Sequence, residues 1–171
     1  MDNYICINGK KVELTEEQLK KLGIKLGTSS SFDRQDNGDR YYFINSIGEI
    51  VVNEEHNNDS NCNHYNAANY CTDKELLEKR ALYETLNRRL WRYSMEHDGD
   101  KIDWNRDEEK YHIFYNTGSK KWLVSSLCHS WDFTIFFYSL EIAEKAIKEV
   151  VIPFVEENPE FYEYIYGEGD K

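Results

Sequence analysis

Lys110-Tyr111-His112-Ile113-Phe114-Tyr115-Asn116, then Gly118, then Lys121-Trp122-Leu123-Val124 reads as a strand, a glycine-bearing turn and a second strand. Tyr111, Ile113 and Tyr115 alternate with His112, Phe114 and Asn116, so both faces of the first strand are largely apolar. The expectation is a core on one side and a covering helix on the other. Phe133-Thr134-Ile135-Phe136-Phe137 adds a third strand, and Ser139 ahead of Leu140-Glu141-Ile142 is a helix N-cap. Ile142, Ala143, Ala146, Ile147 and Val150 form one side of a helix over 140–151, which Pro153 and Pro159 then break or bend.

The same plan occurs upstream. Arg40-Tyr41-Tyr42-Phe43-Ile44, Gly48 and Glu49-Ile50-Val51-Val52 form a hairpin, and Thr72 with Glu75 is a capping box opening a helix over 72–97. Its apolar positions are Leu76, Leu82 or Tyr83, Leu86, Leu90 and Tyr93, while Arg80, Glu84, Arg88 and Arg92 form a solvated row with internal ion pairs. The counterpart of the third strand, Tyr65 to Tyr70, is Asn-rich and weak. At the N-terminus, Asn8-Gly9 joins Tyr4-Ile5-Cys6-Ile7 to Lys10-Lys11-Val12-Glu13-Leu14 as a hairpin. Thr15 and Gln18 cap a short helix there, with Leu19, Leu22 and Ile24 as its apolar side and Gly23 as its stop. The chain therefore divides into a hairpin-helix unit (1–30), an α+β domain of antiparallel sheet and helix (40–155) built from two pseudo-repeated modules (40–97 and 110–151), and an acidic tail (156–171).

The 171 residues carry 21 Lys and Arg against 32 Asp and Glu, a formal charge of −11. Affinity for a polyanion comes from neutralising phosphates with basic side chains, so direct binding to nucleic acid is not expected. No apolar run is long enough to span a membrane and Met1 to Lys11 lacks a signal-peptide core, which points to the cytosol. The acidity is local. Residues 31–75 hold nine acidic and three basic groups and residues 156–171 hold six and one, whereas 111–155 balance at four each. The expected partner-binding residues are Asp33, Asp36, Asp39, Glu54, Glu55 and Asp59 in the first segment, and Glu156, Glu157, Glu160 and Glu163 in the second. Interleaved with tyrosines, the second set imitates a phosphate backbone or meets a basic groove on another protein.

Motifs that carry chemistry are scarce. Cys62, His64 and Cys71, with Cys128-His129 and His56 as completers, lack the paired spacing of a zinc site, so no metal and no cofactor are expected. Cys128 and His129 are neighbours and on a strand would point to opposite faces, which rules out a hydrogen-bonded nucleophile and base. Asp132, between Trp131 and Phe133, is the most interesting single acid. Phosphate-binding, metalloprotease and hydrolase signatures are absent, so no catalytic residue is assigned and the four cysteines are read as reduced, buried thiols.

Lys110-Tyr111-x-Ile113-x-Tyr115, Lys121-Trp122-x-Val124 and Phe137-x-Ser139-x-Glu141-Ile142-Ala143-Glu144-Lys145-Ala146-Ile147 resemble small accessory proteins of phages and prophages of low-GC Gram-positive bacteria. Tyr65-Asn66-Ala67-Ala68-Asn69-Tyr70-Cys71-Thr72 and Ile102-Asp103-Trp104 are similar to the same group, and the likeness covers roughly 40–150. The resemblance implies an accessory protein in the host cytosol, a group that includes inhibitors of bacterial defence such as anti-CRISPR proteins, and it assigns no functional residue. The resulting expectation is a non-enzymatic inhibitor that binds a basic or nucleic-acid-processing protein, such as a Cas effector, through acidic surfaces. The alternative is a protein that sequesters a small molecule or nucleotide in a Tyr- and Trp-lined pocket between the modules.

Overall fold

The computed structural model describes residues 4–7, 10–13, 15–21, 30–128 and 133–162, and helices combine there with antiparallel sheets in an α+β fold. At the N-terminus β1 (Tyr4–Ile7) pairs with β2 (Lys10–Glu13), Tyr4 opposite Glu13, and α1 (Glu16–Lys21) follows. The expected capping box closes it, with the Gln18 amide donating to Thr15 Oγ1 at 3.3 Å and the Thr15 amide to Gln18 Oε1 at 2.8 Å. The Asn8-Gly9 turn and the Leu22 to Ile24 helix end lie outside the described residues.

The two modules share one topology. β3 (Arg40–Ile44) pairs with β4 (Ile50–Glu54), and β5 (Lys110–Asn116) with β6 (Lys121–Leu127). In each, an extended piece from just before the next helix joins the free side of the first strand. Cys71 bridges Tyr42, through backbone bonds of 2.7 and 3.0 Å, and β7 (Phe136–Phe137) pairs with His112 and Tyr111. Cys71 and Phe137 stand two residues ahead of the N-caps of α3 (Lys74–Glu96) and α4 (Leu140–Ala146), and both are fully buried. They are equivalent core positions.

Three local expectations change. The third strand of the second module is two residues long, not five. An unexpected helix, α2 (Asp59–Asn66), opened by a capping box between Asn58 and Asn61, precedes and runs into the Asn-rich Tyr65 to Tyr70. The α3 cap is Asp73, which accepts from the Leu76 amide at 3.1 Å. Thr72 cannot cap because its amide and hydroxyl both donate to the Ser31 carbonyl, at 2.8 and 3.3 Å, which holds it in extended pairing beside the Cys71 bridge. Ser139 caps α4 as expected, accepting from the Ile142 amide.

Past α4 the helix does not end. It continues through a widened turn (Ile147–Val151) into α5 (Ile152–Glu157), with the Ile152 amide reaching the Ile147 carbonyl five residues back. Pro153 has no amide hydrogen for the carbonyl four residues before it, and a widened turn absorbs that missing bond without breaking the axis. The helix thus runs on into the acidic segment that begins at 156. Glu156 and Glu157 are helical, and Phe161, 1% exposed, is a core residue.

One face of the first hairpin carries Tyr42, Ile44 and Ile50, which pack with Cys71, Leu77 and Ala81 under the N-terminal half of α3. The C-terminal half of α3 sends Leu86, Leu90 and Tyr93 into a second cluster with Phe137, Ala143, Ala146, Phe154 and Phe161. Leu76, expected to face inward, is exposed, and Leu77 takes its place. At 23 residues, α3 is about 34 Å long and spans both cores. Its outer row is ion-paired as expected, Arg80 to Glu84 at 2.6 Å and Arg92 to Glu96 at 4.0 Å, and Arg88 donates to Thr85 Oγ1 at 3.2 Å. Among the described residues no helix is long and apolar enough to cross a membrane.

Candidate functional site

Three segments meet at the open end of the first hairpin. Gly38, with a φ of +95° that favours glycine, turns the incoming chain. Its amide donates to the Glu55 carbonyl at 2.7 Å and the Glu55 amide to the Asp39 carbonyl at 2.8 Å, which extends the ladder beyond β3 and β4. The chain then reverses at Asn57 (φ +55°) into α2.

The second face of the hairpin, bearing Tyr41, Asn53 and Glu55, is covered by α2 and the segment around Arg34, and its polar groups are bonded to one another. The Glu55 side chain is completely buried and accepts from Arg34 Nη2 at 3.1 Å, Arg34 Nε at 3.3 Å, the Asn57 amide at 2.7 Å and the Tyr70 hydroxyl at 3.1 Å. Burial alone would raise its pKa; the bonds from Arg34, Asn57 and Tyr70 outweigh that and hold the carboxyl below its ordinary range. Tyr70 is pushed up to about 12, by burial first and by the neighbouring carboxylate. Its ring stacks on Tyr41 at 3.9 Å. The Tyr41 oxygen accepts from Asn53 Nδ2 at 3.0 Å and Asn61 Nδ2 at 2.9 Å, so its proton is directed to His64 Nδ1 at 2.8 Å. Burial lowers the His64 pKa, consistent with a neutral, accepting ring. Arg34 Nη2 also reaches Cys62 Sγ at 3.3 Å.

This lock fixes an acidic rim. Asp36 and Asp39 flank the turn, Glu54 ends β4, Asp59 opens α2 and Asp33 precedes Arg34; all five are exposed. Asp33 accepts from the Ser30 amide at 2.7 Å. Glu54 is only loosely balanced, by Arg40 and His56, each at 3.8 Å. Glu55 does not belong to the rim. Its carboxylate is consumed inside the lock, because alternation along β4 turns it inward as it turns Glu54 outward.

The second acidic segment is elsewhere. Glu156 is exposed on α5, Glu157 pairs with Arg89 of α3 at 3.1 Å, and Glu163 lies outside the described residues. Glu160 lines an open groove with Gly48, Glu75, Glu78 and Lys79 at the turn end of the first hairpin. A five-residue strand separates that end from the rim by about 17 Å, so among the described residues Glu160 does not share a footprint with the rim. Glu75 and Glu78 are also balanced by Lys79 and Lys74, at 3.6 and 2.6 Å.

The residues considered for metal or nucleophilic chemistry do not converge. Cys71 is in the core, Cys62 contacts Arg34, His64 bonds Tyr41, and among the described residues no group of three or more His, Cys, Asp or Glu could hold a metal ion. His129, Trp131 and Asp132 lie outside the described residues. Comparison of the chain with known protein families, curated proteins and solved structures finds no match.

Proposed function

We propose that this is a non-enzymatic binding protein that engages a basic surface on another macromolecule through the rim formed by Asp33, Asp36, Asp39, Glu54 and Asp59. The observation that carries the reading is the contrast between layers: exposed carboxylates with weak counter-charges stand on a buried, mutually bonded Glu55, Tyr70, Tyr41 and Asn61 network that the surface residue Arg34 closes from outside. A rigid support keeps like charges at fixed spacing, and fixed, unneutralised charge steers association and selects a complementary partner. The partner class is a nucleic-acid-binding protein whose basic groove accepts the rim in place of phosphates. With the likeness to phage accessory proteins, this favours an inhibitor of a bacterial defence or nucleic-acid-processing protein, a Cas effector being the first to examine, in the host cytosol.

The test is capture of partners from host lysate at low salt with the wild-type chain and with a variant carrying Asp36→Lys, Asp39→Lys, Glu54→Lys and Asp59→Lys. A basic partner retained by the wild type, lost by the variant and released as salt rises supports the proposal. Equal capture by both chains, or no basic partner, overturns it.

A further inference from the structure

The two cores take different faces of α3. Leu77 and Ala81 lie under the first hairpin, whereas Leu86, Leu90 and Tyr93, about half a turn round the helix, enter the second core. The hairpin ends at Gly48, where a Cβ would stand 2.8 Å from Arg88 Nη2. Past that point the Leu77 line of the helix continues as Arg88, Trp91, Arg92 and Met95, spaced i, i+3, i+4 and i+7, with Met95 about five turns after Leu77. All four are exposed, and Trp91 is 56% exposed. The line that is core under the hairpin therefore runs on as an open stripe from the turn end of the hairpin, the end away from the acidic rim.

Trp, Met and Arg are the side chains that protein interfaces enrich, and the charges on this face say what covers it. Arg88 donates to Thr85 Oγ1 rather than to a carboxylate. Arg92 and Glu96 approach only to 4.0 Å with their side chains 72% and 62% exposed, so both charges remain open to a further partner. The stripe is basic where it leaves the hairpin, at Arg88 and Arg92, and acidic where α3 ends, at Glu96 and the exposed Asp98. A face of that polarity is complementary to its own reverse. A two-fold axis passing beside Tyr93 would set Trp91 of each copy on Met95 of the other, Arg92 of each beside Glu96 of the other, and Arg88 toward Asp98. We infer that α3 pairs antiparallel with α3 of a second copy of this chain through this stripe. From Arg88 to Glu96 the seam is about 12 Å long, short for an interface, so the dimer is weak and forms at high protein concentration.

Sedimentation velocity of the full chain from about 10 μM to about 1 mM covers the affinities of such small interfaces, and the wild type should pass from monomer toward dimer across it. Trp91→Ala should weaken self-association at least roughly tenfold, as loss of a central aromatic does. Ile152→Ala, at another exposed apolar position on α5, should change it by less than about threefold. Arg92→Glu and Glu96→Arg each set like charges across the two-fold, so either variant alone should associate at least roughly tenfold more weakly. Mixed in equal amounts they restore both ion pairs, Glu on Arg and Arg on Glu, and should recover association to within about threefold of the wild type. The substituted side chains are exposed and leave both cores intact. The inference is overturned if the wild type stays monomeric up to about 1 mM, if Trp91→Ala associates like the wild type, if Ile152→Ala weakens association as much as Trp91→Ala does, or if the mixed charge variants associate no better than each alone.

Discussion

Glu54 and Glu55 are neighbours in the chain and opposites in the structure, one on the acidic rim and the other sealed under it. Period-two alternation puts them on opposite faces of the hairpin, Glu54 with Ile50 and Val52 and Glu55 with Val51 and Asn53, but does not say which carboxylate is buried. The carboxylate's partners were not legible, because Arg34 and Tyr70 lie 21 and 15 residues away and only the folded topology joins them. The lock makes stability depend on pH in two windows. His64 has a lowered folded pKa, so the unfolded chain takes up its proton first and stability begins to fall as pH drops below about 6.5. Glu55 is also lowered, so its contribution is complete above the ordinary value of 4.5 and is lost as pH falls below it. Urea unfolding between pH 7.5 and 3 should show both declines, and His64→Phe should remove the first while leaving the second. A flat profile from pH 7.5 to 5 in the wild type would contradict the buried neutral histidine.

The hairpins and both long helices were legible because their strands are aromatic and β-branched and their helices keep a 3.6-residue period. Thr72 and Glu75 satisfy the capping-box pattern, yet bonds from Thr72 to the Ser31 carbonyl claim it, and Asp73 caps the helix. Polar Asn58 to Asn66 shows no apolar period, because α2 is held by side-chain bonds from Asn61 to Tyr41 and the Glu54 carbonyl. Pro153 reads as a stop until a widened turn absorbs it. The shifted cap has a measurable consequence: Asp73→Ala should cost about 1 kcal/mol, whereas Glu75→Ala, which removes no cap, should cost less than about 0.5 kcal/mol on the scale of an exposed surface change. Chemical denaturation distinguishes the two, and equal losses would place the cap at Thr72.

At the scale of the molecule, α3 joins the two modules by filling a core at each end. Leu77→Ala in the first core and Leu90→Ala in the second should each cost about 3 kcal/mol. Because one helix carries both, each variant should still unfold in a single transition, seen alike by tryptophan fluorescence and circular dichroism; separate transitions would mean that the modules fold independently. The charge pattern was legible as two acidic segments, but the distance of Glu160 from the rim along the first hairpin was not, since sequence distance says nothing of which strand end a residue reaches. The proposed binding function therefore rests on the rim. The most direct measurement compares binding of the captured basic partner to two charge-reversed chains, one changed at Asp36, Asp39, Glu54 and Asp59 and the other at Glu49, Glu144, Glu156 and Glu160, all to Lys. Both changes alter net charge equally, so the rim variant should lose at least tenfold in affinity and much of the salt dependence while the other stays within about threefold. Equal losses in both would show that net charge, not the rim, governs association and would contradict the account.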